Sequence, residues 1–519
     1  MTPDDLRALH RTRPHAELRE THISWVLLDG ERALKLKKPV DFGFLDFSTL
    51  ERRKKACEDE VHLNRRLAPD VYEAVVPITR AGDRIEAGGE GEVVDHGVLM
   101  RRLPDRERGD QVLARGELSD ARLRKLARRL ARFFDEQAET SEIIAAAGRP
   151  EAVAVSIEEN FEQTREQLPR LLDPAEAAEL ERWQRAFLRE QSDVFEARVR
   201  DGRIRDGHGD LRLDHVYFSD DGGIRILDCI EFNERLRFVD VAADVAFLAM
   251  DLGVHGHPGT AERFLALFVE ATQDHDLYRV IDFYESYRAF VRGKIACFSL
   301  ADVGPGLPLA RSLEATARRH FRLALASERR PLLDPHLVGV MGMVGSGKST
   351  VADRLSERLG APVVSSDRIR KGLWGITPTA PLPEEAYAPE VTARVYDELL
   401  RRAELVARSG RSVIVDASFR TRAERSGLLA RGEALGLPVR FLECRVSEAT
   451  ALRRLEQRRS DPEAVSDAGP ELYAPFAASY EPPTELGPET LRPVSTEGPV
   501  AGLLDELGRF LPAWPPEAD

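Results

Sequence analysis

Cysteine is scarce in this chain. Cys57, Cys229, Cys297 and Cys444 are the only four in 519 residues, scattered and without a CxxC pair. That spacing argues against a disulfide framework and a structural zinc site, and it fits a reducing compartment. Long hydrophobic runs are missing as well. The first residues, Met1 to Arg7, hold no apolar signal core, and the best apolar stretch, Val239 to Val254, is interrupted by Asp240, Asp244 and Asp251. No membrane partner is expected, and the sequence predicts a cytoplasmic protein. Internal repeats and low-complexity tracts are absent too, so the domain division has to be read from apolar patterning and breakers. An excess of positive charge is also lacking: the net charge is −14. A dedicated DNA-coating protein, whose binding rests on phosphate neutralisation, is therefore disfavoured.

What is present suits a globular protein. Hydrophobic residues make up 42% and charged residues 32%, enough for buried cores and against a disordered or fibrous chain. On a prior of about 150 residues per domain, the length predicts three or four compact units rather than one core. Charge is uneven: −9 over residues 1–330, +5 over 331–460 and −10 over 461–519.

Residues 21–37 read as two strands around an Asp29-Gly30 turn, followed by a helix over 50–67 and strands over 71–78, 84–86 and 92–101. This predicts an antiparallel sheet with one helix. After Pro104 the spacing turns helical, with long segments at 118–138 and 174–200. A polar, proline-bearing connector at 327–335 marks the boundary. Beyond it strands and helices alternate, at 337–341, from 348, at 363–365, 413–415 and 439–444, which argues for a parallel sheet with crossover helices. The fold class is thus a mixed α/β and α+β multidomain chain. Its first domain is 1–330, with a small lobe to about 104 and a helical lobe from about 105, and its second is 331–519.

Gly342-Met-Val-Gly345-Ser346-Gly347-Lys348-Ser349 fits GxxxxGK[ST] at every fixed position, after an apolar strand and before a helix that continues with Thr350. Such a loop wraps phosphates with backbone N–H groups and a helix N-terminus. Lys348 is expected to bridge the β- and γ-phosphates of ATP, and the Ser349 hydroxyl to hold Mg²⁺. Val413-Ile-Val-Asp416 is an apolar strand ending in a carboxylate, the form expected of the second magnesium group. Asp367 and Arg370, in Ser365-Ser-Asp-Arg-Ile-Arg370, sit at the end of the next strand. Asp367 is placed to take the proton of an attacking hydroxyl, and Arg370 to grip an anionic group on the acceptor. Over about 337–468 these residues resemble the P-loop kinase branch of polynucleotide 5′-hydroxyl kinases, zeta-toxin-like kinases and small-metabolite kinases. Arg454 and Arg458, at i and i+4, resemble the lid arginines of that branch, Arg458 being preferred over Arg454, Arg422 and Arg425.

In the first domain, His208-Gly-Asp210-Leu-Arg-Leu-Asp-His215 is followed by Ile226-Leu-Asp228-Cys-Ile-Glu231. These segments resemble the catalytic and metal-binding parts of aminoglycoside phosphotransferases and related protein-kinase-like small-molecule kinases. The resemblance implies a bilobal kinase-like fold, Asp210 as the carboxylate facing the acceptor hydroxyl, and Asp228 as the principal Mg²⁺ ligand. His215 stands where the family usually carries Asn as a second magnesium ligand, and an imidazole is a poor direct substitute for a hard oxygen. Lys35, within Ala33-Leu-Lys35, is expected to hold ATP phosphates and Glu60 to orient it. Lys37 points to the same face as Lys35, so either fits. No GxGxxG precedes them, leaving Thr21 to Ser24 as the phosphate-covering loop. Arg237, Asp240 and Asp244 read as braces of the catalytic loop. Tyr284, Arg288 and Arg292 recur on one helix face, which suits either an acidic acceptor or a salt-bridged surface.

Together the motifs resemble a bifunctional tandem: an aminoglycoside-phosphotransferase-like domain followed by a P-loop kinase domain. That implies transfer of the γ-phosphate of ATP to a hydroxyl of a small sugar-like, aminoglycoside-like or nucleoside-like molecule. Two alternatives stand beside it. In the first, the P-loop domain is a polynucleotide 5′-hydroxyl kinase, a reading that Asp367 and Arg370 motivate and the lack of an aromatic-rich stretch disfavours. In the second, placed behind it, the first domain is a degenerate binding or regulatory module, a reading that His215 motivates. The sequence leaves the acceptor, the oligomeric state and the role of 461–496 (lid, interface or loose tail) open.

Overall fold

A computed structural model describes residues 1–43, 45–138, 141–301, 303, 307–326, 334–498, 507, 510 and 511. Most of the connector at 327–335 lies outside them. The chain packs as two compact units, one of Met1–His255 with Asp282–Glu328 and one of Gly256–Ile281 with Arg329–Asp519. Among the described residues no helix is long and apolar enough to cross a membrane.

The first unit opens with a six-stranded antiparallel sheet in the order β1-β2-β3-β6-β4-β5. Its strands are β1 (Glu17–Glu20), β2 (Ser24–Asp29), β3 (Arg32–Lys37), β4 (Tyr72–Ala81), β5 (Arg84–Ala87) and β6 (Glu92–Arg101). The predicted hairpin turns at Gly30, whose φ of 56° an L side chain rarely adopts. Both faces are covered. Leu34 and Leu36 pack with Leu6 and Leu9 of helix Pro3–Arg11, while Ala33 packs with Cys57 and Val61 of helix Leu50–Asn64. Because strand side chains alternate, this puts Lys35 and Lys37 on the face of the second helix. The sequence reading had one helix on this sheet; Pro3–Arg11, fixed by a Thr2/Asp5 capping box, is the other.

Below the sheet the chain is mainly helical. The long segment of helical spacing over 174–200 forms two helices, Pro174–Glu190 and Ser192–Arg200. The backbone leaves helical geometry at Gln191 (φ −107°, ψ 20°), and Phe187 and Phe195 both turn onto the Phe283 ring. Four short strands frame the loops of interest. β7 (Ile204–Asp206) pairs with β10 (Phe238–Asp240), and β8 (Val216–Phe218) with β9 (Ile224–Ile226).

The second unit is built on a five-stranded parallel sheet, ordered β12-β13-β11-β14-β15. The strands are β11 (Leu337–Gly342), β12 (Val363–Ser365), β13 (Val413–Asp416), β14 (Val439–Arg445) and β15 (Leu491–Ser495). Strands β11 and β13 are buried throughout, as a sheet covered on both faces requires. β15 comes from the 461–496 stretch whose role the sequence left open, so the end of that stretch is part of the sheet rather than a loose tail. Helix Pro258–Thr272 joins this unit: Arg263 donates to Ser356 Oγ at 2.5 Å and to Asp353 at 3.0 Å on helix Lys348–Leu359.

Candidate active sites

In the first unit, strand alternation and helix Leu50–Asn64 bring two lysines to one carboxylate. Lys35 Nζ lies 2.8 Å from Glu60 and 2.6 Å from Asp228, and Lys37 Nζ lies 2.5 Å from Glu60 and also pairs with Glu231. The two lysines, equivalent in sequence, are unlike in place. Lys35 reaches Asp228, whose side chain is 45% exposed, whereas Lys37 and Glu60 are wholly buried with Glu231 and the Phe47 ring. Burial works against the charge on Lys35, but Asp228 and Glu60 outweigh it and hold the ammonium above its ordinary range. Across the β1–β2 connection Thr21 and Ser24 close a tight turn, Ser24 N–H donating to Thr21 Oγ1 at 3.0 Å. The buried Ser24 hydroxyl has no hydrogen-bond partner among the described residues.

The catalytic-loop segment runs between β7 and β8. His208 is neutral. Its Nε2 donates to Leu227 O at 2.8 Å and its Nδ1 accepts from Asp210 N–H at 3.3 Å, and burial pushes its pKa down to about 3. Asp244 accepts the N–H groups of His208 (2.6 Å) and Gly209 (2.9 Å), and Arg288 donates to Gly209 O and Ala243 O at 3.0 Å each. Asp240 pairs with buried Arg198, and Arg237 with Asp206. Arg237, Asp240, Asp244 and Arg288 are therefore spent on bracing the loop.

Asp210, Arg212, His215 and Asp228 converge. Arg212 donates through Nε to Asp210 at 3.1 Å, through Nη1 to Asp214 at 2.9 Å and through Nη2 to His215 Nε2 at 2.9 Å. His215 Nδ1 donates in turn to Asp210 O at 2.8 Å. A carbonyl only accepts and a guanidinium only donates, so His215 carries its proton on Nδ1 and its Nε2 lone pair accepts from Arg212. That nitrogen lies 4.0 Å from Asp228 Oδ2. Burial opposes ionisation of Asp210 and Asp228, but Arg212 beside the first and Lys35 beside the second keep both carboxyls below their ordinary range. Asp228 holds a left-handed φ of 60°, a strained position for a residue other than glycine. Its backbone N–H donates to Tyr72 Oη at 3.3 Å. A partly exposed, ionised carboxylate of this kind is a hard-oxygen donor suited to Mg²⁺.

In the second unit the glycines of the loop after β11 are needed for backbone shape. Gly342, Gly345 and Gly347 have φ of 136°, 75° and 84°. A Cβ at Gly345 would stand 2.7 Å from Ala451 O, and one at Gly342 2.6 Å from Cys444 O. Lys348 folds back to donate to Met343 O at 3.0 Å, and the buried Ser346 hydroxyl has no partner among the described residues. These are features an anion would satisfy. Burial pushes Lys348 down and Asp416 up, each partly offset by the other, and the Ser349 hydroxyl favours the charged form of Asp416. Asp367 acts electrostatically on both. A cavity of about 360 Å³ opens beside the loop, lined in part by Gly345, Gly347, Thr350, Arg454 and Arg458.

The remaining predicted residues separate. Arg454 is committed to Thr496, donating to its carbonyl at 2.5 Å, while Arg458 faces the cavity. Arg425 is buried and paired with Glu485 at 2.6 Å. Arg370 is buried as well, donating to Ala386 O at 2.6 Å and lying over the Tyr387 ring, with Nε unpartnered among the described residues. Sequence reasoning missed Arg212 and Glu231, although both stand inside motifs it quoted. It missed Tyr72 and Asp467 altogether. Asp467 accepts from Lys371 (2.7 Å), Leu382 N–H (3.1 Å) and Tyr387 Oη (2.8 Å), tying part of the 461–496 stretch to the segment after helix Ser366–Leu373.

Two family profiles match the chain, the phosphotransferase enzyme family over residues 6–284 and an AAA domain over 337–483. Uncharacterized proteins of Mycobacterium tuberculosis and Mycobacterium bovis are each 35% identical over 410 residues, 78% of this chain and 79% of theirs. Among solved structures, a gluconokinase from Sinorhizobium meliloti is 26% identical over 34% of this chain and 90% of its own, with a TM-score of 0.24. The APS kinase of Mycobacterium tuberculosis, in complex with AMPPNP and APS, is 20% identical over 34% and 97%, with a TM-score of 0.26.

Proposed function

From the premise that the chain belongs to the phosphotransferase enzyme family and is a kinase, we propose that it transfers the γ-phosphate of ATP to a hydroxyl of a small molecule, at two separate sites. In this reading the domain boundary along the chain falls at 330/331, although Gly256–Ile281 packs within the second unit. The observation that carries the first site is the convergence of Lys35, Glu60, Asp210, Arg212 and Asp228, which four separate chain segments supply. A degenerate module would have no need to keep Asp228 in a strained backbone position.

In the first site Lys35, oriented by Glu60, binds the α- and β-phosphates of ATP. Asp210 accepts the proton of the acceptor hydroxyl as its oxygen attacks the γ-phosphorus in line and the bond to the β,γ-bridging oxygen breaks, releasing ADP. Arg212, already at Asp210, neutralises charge on the transferred group. Asp228 would hold Mg²⁺ with His215 on the same side, and the bound ion would supply charge neutralisation of the phosphates. In the second site Gly342, Gly345, Ser346, Gly347 and Lys348 cradle the phosphates of ATP and Thr350 and Arg458 line its cavity. Ser349 and Asp416 would hold Mg²⁺ and Asp367 receives the acceptor proton, while Arg370, buried and bonded to Ala386 O, holds the segment around Tyr387.

The test is magnesium-dependent ATP turnover by wild type, Lys348→Ala, Asp210→Ala and the double variant, across pooled sugars, aminoglycosides, nucleosides and 5′-hydroxyl oligonucleotides. Two sites predict that each single variant abolishes activity toward a different acceptor. Phosphate incorporation into oligonucleotides, lost in Asp367→Ala, would instead make the second unit a polynucleotide kinase. Turnover untouched by Asp210→Ala would reduce the first unit to a binding module.

A further inference from the structure

Three side chains, Tyr284, Arg288 and Arg292, follow one another at successive turns of helix Ile281–Ala301. The structure separates them. Tyr284 is buried against Phe195 and Phe283. Arg288 is buried too, its guanidinium bonded to Gly209 O and Ala243 O and lying 4.8 Å over the Phe247 ring. Arg292 stands one turn further, about 6 Å along the axis, from a residue that touches the backbone immediately before Asp210. The helix is held closely there: a Cβ on Gly293 would come within 2.6 Å of Phe321 Cε1.

Arg292 differs from its neighbours in having nothing to hold. Among the described residues it has no hydrogen bond or ion pair, although its charge is felt at Arg212, Asp210, Asp214 and Asp251. Each of those acids is already engaged. Asp210 and Asp214 bind Arg212, and Asp251 accepts Leu213 N–H at 2.9 Å. His320, on the other side, is kept neutral by burial, its pKa pushed down to about 4. A half-buried guanidinium without a counter-ion is poorly solvated, and an anion arriving beside it relieves that cost. A polycation would meet two arginines and find the nearby carboxylates committed.

We propose that Arg292 is an acceptor-binding residue of the first unit, and that the acceptor there is an anionic hydroxyl compound bearing a carboxylate or phosphate. The inference rests on the kinase reading of that unit and adds the charge class of its substrate. An aminoglycoside is then the wrong acceptor in spite of the family resemblance.

The experiment uses the full chain with Lys348→Ala, so that the first unit alone reports. ATP-dependent phosphorylation is measured with glucose, glucuronate, glucose 6-phosphate and glucosamine, and with pooled neutral, anionic and cationic hydroxyl compounds. Anionic members are expected to be preferred, and the carboxylate and phosphate arms tell the two anions apart. Arg292→Gln should raise KM for the preferred anion roughly 10- to 100-fold, the worth of a charge-assisted hydrogen bond, with kcat and the KM for ATP nearly unchanged. Arg292→Lys should recover part of the loss, and matched melting curves control for folding. Asp210-dependent phosphorylation of neutral or cationic members at equal or better kcat/KM overturns the proposal and leaves the kinase reading intact. So does an Arg292→Gln effect equal for neutral and anionic acceptors. If no member is phosphorylated in an Asp210-dependent way, the proposal and the kinase reading of this unit fall together.

Discussion

Replacing Lys35 and Lys37 one at a time by methionine should separate chemistry from stability at two positions only two residues apart. Lys37 is fully buried between Glu60 and Glu231, both carboxylates themselves buried. Removing it strands Glu231 in the interior and leaves Glu60 with Lys35 alone, and breaking a buried pair from one side costs about 3–5 kcal/mol. Lys35 is 15% exposed, and its partner Asp228 is 45% exposed and can be rehydrated. Glu60 keeps Lys37, so Lys35→Met should cost no more than about 1–2 kcal/mol. For a unit of this size each kcal/mol shifts the melting temperature by roughly 2–4 °C or somewhat less. Lys37→Met is thus expected to lower the first thermal transition by several degrees, and adding Glu231→Leu should restore much of it, because an apolar replacement removes one stranded charge. Lys35→Met should melt near wild type and yet lose Asp210-dependent turnover. The assays are a thermal melt of each variant and acceptor-stimulated ATP consumption in the Lys348→Ala background. A Lys37→Met protein that is stable but inactive, beside a Lys35→Met protein that is unstable but active, would refute the assignment.

Gly345→Ala should abolish nucleotide binding by the second unit and lower its stability by about 1–3 kcal/mol, since its φ of 75° and the Ala451 carbonyl 2.7 Å from an added Cβ both resist the change; a nucleotide-binding titration with a melting curve checks it, and wild-type affinity would count against the loop geometry. His208 carries a pH signature. Its folded pKa of about 3 lies below the ordinary 6.5, so its contribution is complete above about pH 6.5 and is lost as pH falls toward 3, at about 1.4 kcal/mol per pH unit. The stability gap between wild type and His208→Asn, followed by urea denaturation from pH 7 to pH 4, should narrow toward the acid end; a constant gap would mean that His208 is not buried neutral.

The sequence by itself determined the chemistry-bearing segments and their order. The loop from Gly342 to Ser349 between an apolar strand and a helix, Asp416 at the end of Val413–Asp416, and the pair of segments around Asp210 and Asp228 were legible because local spacing encodes them. The parallel sheet of the second unit followed from alternation of strand and helix, except for β15, which is hidden in a stretch rich in proline and glutamate. Only the tertiary structure could decide what depends on packing between distant segments. Lys35 and Lys37 are indistinguishable along a strand, and it is the approach of Asp228 to one and Glu231 to the other that sorts them. Arg288 and Arg292 share a helix face, and only the position of Gly209 makes the first a brace and leaves the second without a hydrogen bond or ion pair among the described residues. Spacing along the chain fixes which side chains share a face; which of them meets a counter-charge is fixed by the elements folded against that face.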